Sequence, residues 1–206
     1  MIGIYDYTVI LTYLSFLSGL TGIYFSLNNN PFIGIICIMI SGLFDMFDGK
    51  VARTKKNRTE TDKKFGIQID SLSDLVAFGL LPSAIGIGLG LDKTILCFTL
   101  YLIPLCALIR LAYFNVDEEV RSSKTTEVRH EYLGLPVTTS AIVVPIIYLI
   151  KNIIKNNFVY VYGVVLLILS ILFITKFKMF KLKNRGMIIM TILGIIILTL
   201  LLIWYL

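Results

Sequence analysis

Long apolar runs, each broken by a short polar stretch, set the rhythm of this chain. They fall near residues 8–27, 31–49, 67–90, 94–116, 134–150, 158–175 and 187–206. Each is close to the roughly 20 residues that carry an α-helix across a bilayer. No period-two alternation punctuated by turns argues for a β-barrel, and helices are then what satisfies every backbone group in lipid. The pattern predicts an all-α, polytopic transmembrane bundle of seven spans, or eight if 67–90 splits at Pro82 and its neighbouring glycines. Residues 1–7 hold no Lys or Arg, so the first run reads as a retained span rather than a cleaved signal. The last run, 187–206, carries no charge at all and predicts a helix packed against the bundle or a neighbouring subunit.

Composition strengthens the membrane reading. Of 206 residues 57% are hydrophobic and 16% charged, with a mean hydropathy of +0.86; soluble domains run near 45–50% apolar and about 25% charged. Cys37, Cys97 and Cys106 all lie within apolar runs, where cysteine acts as a small hydrophobe and suggests neither a disulfide framework nor a metal site.

Basic residues give an orientation. Sixteen of the nineteen Lys and Arg lie in 50–64, 121–129, 176–185 or at Arg110; only Lys93, Lys151 and Lys155 lie on the other side. Cytoplasmic loops carry the Lys/Arg excess, which places the amino terminus and the 50–64 segment in the cytoplasm. The net charge of +6 follows mostly from this topology, with some attraction for anionic lipid headgroups. No basic, aromatic-studded surface is large enough for nucleic acid. The stretch 117–132 alternates acids and bases (Asp117, Glu118, Glu119, Arg121, Lys124, Glu127, Arg129) and reads as a solvated turn or surface helix.

The acids are the anomaly. Asp45 and Asp48 are three apart, Asp70 and Asp74 four apart, so each pair shares one helical face. Both pairs sit near the cytoplasmic ends of consecutive spans, and antiparallel neighbours bring all four to one depth. Two unit charges 4 Å apart repel by about 4 kcal/mol at an effective dielectric of 20, so protons or cations must neutralise such a group. A lone Asp at a helix end is as often an interfacial partner of Lys50 or Arg53; two pairs on adjacent spans are rarely so, because intramembrane acids are costly. Oxygen ligands favour hard cations, Mg²⁺ or Mn²⁺, and two such ions suit phosphoryl chemistry. Gly49, Ala52 and Gly66 leave room for a ring or a diphosphate to approach the backbone, and Arg53 is placed to clamp phosphate.

Written out, the run is Asp45-x-x-Asp48-Gly49-x-x-Ala52-Arg53 followed by Gly66-x-x-x-Asp70-x-x-x-Asp74. This resembles the signature of the CDP-alcohol phosphatidyltransferase family at every fixed position. The spacer, Thr54 to Phe65, departs from it by about one helical turn, and a longer cytoplasmic loop is expected there. Asp70-Ser71-Leu72-Ser73-Asp74-Leu75-Val76-Ala77-Phe78-Gly79, Arg110-Leu111-Ala112-Tyr113-Phe114-Asn115 and Gly134-Leu135-Pro136 are similar to the phosphatidylserine synthase branch. The likeness covers about two-thirds of the chain.

The resemblance implies a transferase domain over 1–175, with 176–206 as a basic cytoplasmic loop plus an additional transmembrane helix. It implies transfer of a phosphatidyl-type group from CDP-diacylglycerol, or an ether analogue, to the hydroxyl of L-serine with release of CMP. Asp45, Asp48 and Asp70 would hold two divalent cations on the diphosphate; Asp74 would share one and act as general base. Asp48, Gly49, Ala52, Arg53 and Gly66 would form the CDP-lipid site, and a homodimer is the family expectation. For the acceptor, Arg110 offers a forked contact to the serine carboxylate, with Asn115 donating from the loop beyond; the plainer reading of Arg110 is a snorkelling anchor. Glycerol phosphate or inositol phosphate are alternative acceptors. A cation-coupled transporter also uses membrane acids, but predicts them near the midplane with internal repeats.

Overall fold

The computed structural model describes residues 2–124, 131–180 and 184–205; Glu127 and Arg129 of the charged stretch, and Lys181 and Lys183 of the basic segment, lie outside these. Its helices are α1 (Ile10–Leu27), α2 (Pro31–Ala52), α3 (Glu60–Asp74), α4 (Leu81–Gly88), α5 (Thr99–Lys124), α6 (Ser140–Leu149), α7 (Lys151–Ile154), α8 (Phe158–Ile174) and α9 (Asn184–Tyr205). Five described helical segments are long and apolar enough to cross a membrane: Ile10–Leu27, Pro31–Ala52, Glu60–Gly88, Ile95–Arg121 and Lys151–Ile174. Val137–Leu149 and Ile188–Ile203 are apolar but shorter. The chain is thus a helical integral membrane protein.

Helix α1 shows why the bundle holds. Its buried residues are Thr12, Ser15, Gly19, Gly22 and Ser26, while Leu14, Leu17, Leu20 and Tyr24 point outward. Lipid is as apolar as leucine, so helices associate there through close backbone approach and polar contacts between small residues. Ser15 and Ser41 each donate to the other's backbone carbonyl, at 3.3 and 3.0 Å, and Ser18 donates to the Cys37 carbonyl at 3.0 Å. This seam fixes α1 against α2.

The run 67–90, which would have made an eighth span had it split at Pro82, stays helical. Between α3 and α4, residues Leu75–Leu80 form a π-helical stretch, and Pro82 stands in the first turn of α4. The wider turn absorbs the amide that proline lacks and the clash of its ring with the preceding turn. Tyr162 of α8, wholly buried, donates its hydroxyl to the Pro82 carbonyl at 2.9 Å.

Two further expectations need correction, and the all-α reading gains a detail. The long spacer is less loop than predicted, since α3 starts at Glu60, six residues before Gly66, behind a reciprocal cap between Thr59 and Asp62. The fourth span continues as helix through Lys124, so Asn115 belongs to α5 and not to a following loop. The all-α reading gains a small ribbon: β1 (Glu131–Leu133) pairs antiparallel with β2 (Lys178–Phe180). Gly134 closes the ribbon at φ +78, a left-handed conformation that favours glycine, and its N–H donates to the Phe177 carbonyl at 2.7 Å.

The last helix packs on the bundle and runs antiparallel to α2. Thr191 contacts the Met46 sulfur at one end, and Tyr205 stacks on Phe32 at the other with ring centroids 3.8 Å apart. Between α2, α6 and α9 lies a cavity of about 300 Å³, lined by Met39, Leu43, Ile142, Ile195 and Leu198 among others.

Candidate active site

The carboxylates of α2 and α3 converge. One oxygen from each of Asp45, Asp70 and Asp74 lies within 4.8 Å of the others. Asp48 joins through Asp70, and Asp45 through Asp74, each pair within side-chain hydrogen-bonding reach. Helix α1 forms a shared seat: Thr12 donates to Asp48 Oδ2 at 3.2 Å, and Ser73 donates to the Thr12 carbonyl at 3.2 Å. In the sequence Thr12, with Ser15 and Gly19, only partly follows the family's polar amino-terminal pattern.

Among the described residues no lysine or arginine forms an ion pair with any of the four. All the donors are carboxylate oxygens and they are mutually close, the chemistry of a hard divalent cation site. Charge of opposite sign from a bound ion is the natural way to offset their repulsion.

The small residues of the run differ in their surroundings. A side chain added at Gly49 would meet only Arg53 Nη2, at 3.9 Å, so the Arg53 guanidinium arches back over this open glycine. Gly66 is covered differently: an added carbon would lie 2.8 Å from Arg58 Nη2. Arg58 was not singled out from the sequence, where it is one of seven basic residues in 50–64. Ala52 closes α2 next to Arg53. At the loop, Lys55 bridges Asp6 at 2.6 Å and Asp62 at 3.8 Å. The Lys55 ammonium, and then the Thr8 hydroxyl and amide, hold the Asp6 carboxyl down at about 2.

The two acceptor candidates take separate positions. Arg110 is buried at 7% exposure in mid α5, which does not suit an anchor reaching for the headgroups. Its guanidinium lies 5.5 Å from the Phe114 ring centroid, and its Nε is 3.5 Å from where a Gly134 side chain would begin. Two sequence stretches 24 residues apart in numbering, at 110–115 and 134–136, thus meet. Asn115 binds α3, accepting from Ser71 at 2.8 Å and donating to Gln68 at 3.4 Å. It ties α5 to the helix that carries Asp70 and Asp74.

The cavity beside α2 reaches the cluster, because Asp45 is among its lining residues. The carboxylate cluster therefore borders an apolar cavity at a single residue.

The family model described as CDP-alcohol phosphatidyltransferase matches residues 8–176. A CDP-diacylglycerol–serine O-phosphatidyltransferase of Saccharomyces cerevisiae is 34% identical over 152 residues, 68% of this chain and 54% of the relative. One from Mycobacterium leprae is 33% identical over 135 residues, covering 64% and 43%. An archaetidylserine synthase of Methanothermobacter thermautotrophicus is 32% identical over 141 residues, covering 68% and 56%. The chain spans about half the length of these curated relatives. The match takes in both carboxylate pairs, the glycines and Arg53, and the chain belongs to the CDP-alcohol phosphatidyltransferase family.

Proposed function

We propose that this protein transfers a phosphatidyl-type group from a CDP-linked lipid to the hydroxyl of L-serine, releasing CMP. The observation that carries the reading is the convergence of Asp45, Asp48, Asp70 and Asp74, with Asp45 also lining an apolar cavity. Such a junction suits a donor with a charged diphosphate and a lipid tail. The serine acceptor is supported by the names of the relatives and by Arg110, a buried guanidinium of the shape that forks onto a carboxylate. Nothing in the fold favours the transporter reading, since no internal repeat or facing pair of broken helices is seen among the described residues.

Asp45, Asp48, Asp70 and Asp74 would hold two divalent cations, Mg²⁺ or Mn²⁺, which would supply positive charge against the diphosphate and the departing CMP. Arg53, folded over Gly49, binds phosphate oxygens from the α2 side, and Gly49, Ala52 and Gly66 border the nucleotide. Asp74 accepts the proton of the serine hydroxyl, a poor nucleophile at neutral pH. The hydroxyl oxygen then bonds to the phosphorus that bears the lipid, and the bond from that phosphorus to the CMP oxygen breaks. Arg110 and Asn115 orient the acceptor from α5.

The site faces the cytoplasm, a reading supported by the Lys/Arg distribution, and the chain crosses the membrane seven times, with Val137–Leu149 and Ile188–Ile203 completing the count. Residues 1–175 form the transferase domain and 176–206 the appended loop and helix, and the protein works as a homodimer. The test is CMP release by purified protein given CDP-diacylglycerol, Mn²⁺ and a panel of serine, glycerol phosphate and inositol phosphate. Serine should be preferred, and Arg110→Lys should raise the serine KM about tenfold or more while leaving that for CDP-diacylglycerol unchanged. Preference for another alcohol would replace serine in the reading.

A further inference from the structure

The spacer between the two halves of the signature is held in place. Thr59 caps α3, accepting from the Asp62 amide at 3.1 Å while its own amide donates to Asp62 Oδ2 at 3.0 Å. Lys55 ties the same loop to Asp6 and Asp62. Arg58, the residue before the cap, is therefore positioned by its backbone and does not trail into solvent. Its Nη2 donates to the Asp62 carbonyl at 3.2 Å and rests on Gly66. Its Nε is buried with no hydrogen-bond partner, and among the described residues no carboxylate pairs with it. The Asp62 carboxylate is taken up by the Thr59 amide and Lys55.

A guanidinium carries five N–H donors in a fixed fork, and a desolvated, unmatched donor is costly. Gly66 lies one turn before Asp70 on the face that also carries Asp74. The fork thus rests on the helix that carries the carboxylate row, one turn before it. Arg53 stands over Gly49 in the same way on α2. We infer that Arg58 is a donor-binding residue: its guanidinium, seated on Gly66 by the lengthened spacer, pairs with a phosphate oxygen of the CDP headgroup opposite Arg53. An arginine suits this place because a planar fork can brace the Asp62 carbonyl and take a phosphate oxygen at once, which a lysine point charge does not reproduce.

This inference rests on the transferase reading, and the test keeps the two apart. Wild type, Arg58→Gln and Arg58→Lys, each as full chain in detergent, are assayed for CMP release and for the rise in Tm caused by CMP with Mn²⁺. Arg58→Gln should raise the KM for CDP-diacylglycerol about tenfold or more, shrink the CMP-dependent rise in Tm, and leave the serine KM unchanged. Arg58→Lys should recover only part of the loss. A residue that merely braces the loop would lower the Tm without nucleotide and leave the CDP-diacylglycerol KM alone, which would overturn the inference. If Arg58→Gln does not fold, an Arg58→Lys protein with a wild-type KM overturns it equally. A wild type that shows the CMP-dependent rise but releases no CMP with any alcohol would sink the transferase reading and leave Arg58 as a nucleotide ligand.

Discussion

Helix α2 meets α1 on one side and α9 on another, and the two contacts are built in opposite ways. Toward α1 there is no spare room. A side chain at Gly22 would lie 2.7 Å from Cys37 Cβ and 2.9 Å from Leu81, and one at Gly34 would run into Ser26 and Ile85. Toward α9 a cavity of about 300 Å³ separates large apolar side chains, and a carbon added at Gly194 on its wall meets nothing within 4 Å. In lipid no hydrophobic force distinguishes these contacts, so close packing appears where geometry must be fixed and is absent where it need not be. The tight face holds Thr12 against Asp48. The open face has the character of a lipid-chain groove. Rigidity and access are divided between two sides of one helix.

The largest effect is expected where the two sides meet. Asp45 belongs to the carboxylate cluster and also lines the cavity. Asp45→Asn should cut CMP release more than about 10²-fold, with the folded protein still recovered from the membrane. Chelation of the wild type should do the same reversibly. Full activity under chelation would remove the cation role from the site and leave the division between faces as packing alone.

The comparison is sharpened by making one substitution on each side. Gly22→Leu overfills the tight seam and should cost about 1–3 kcal/mol of stability, seen as a lowered Tm in detergent. Gly194→Leu fills open space and should leave the Tm within about 2 °C of wild type. It should instead raise the KM for CDP-lipid, most for the longest chains. A Tm loss as large at Gly194 as at Gly22 would mean that both faces are equally packed in the membrane.

A smaller effect belongs to the polar end of the tight face. Lys55 and Thr8 hold Asp6 at about 2, below its ordinary 3.8, so the ionised form is the one the folded state favours. That contribution is present above pH 3.8 and disappears as pH falls through about 2. Asp6→Asn should lower the Tm by about 1–2 °C at pH 7. The difference from wild type should close on acidification to pH 2, and a gap that persisted there would show that Asp6 acts through something other than its charge.

Much of the site could be read from residue spacing, for a physical reason. Asp45, Asp48, Asp70 and Asp74 are costly in an apolar run, and a cost visible in the sequence signals a function. The spans near 8–27 and 31–49 were legible for the same kind of reason, since hydropathy and length suffice. The start of α3 was missed although its signal was present: Thr59-x-x-Asp62 is a capping box, a local pattern hidden in what read as a basic loop. The π-helical passage at Leu75–Leu80 left no such trace, because Pro82 reads equally as a break or a kink. The ribbon of β1 and β2 depends on two segments 45 residues apart meeting behind Arg110, and no local pattern records that. Arg58 was hidden by its company, one cation among seven.

The π segment carries a consequence for how this chain tolerates length changes. An α-helix advances about 100° per residue, and the wider turn at Leu75–Leu80 holds surplus chain within one loop. The upstream half, with Gly66, Asp70 and Asp74, and the downstream half, where Gly79 abuts Ala107 and Pro82 receives Tyr162, therefore keep their own facings although more chain lies between them than a regular helix would hold. Deleting one residue from 75–80 would let the stretch close toward ordinary α-helix, whereas deleting one from the regular helix on either side would swing the acidic row by about 100° relative to its anchor, away from Asp45 and Asp48. The segment works as a clutch between two rods: it takes up a change in length that either rod would pass on as a turn.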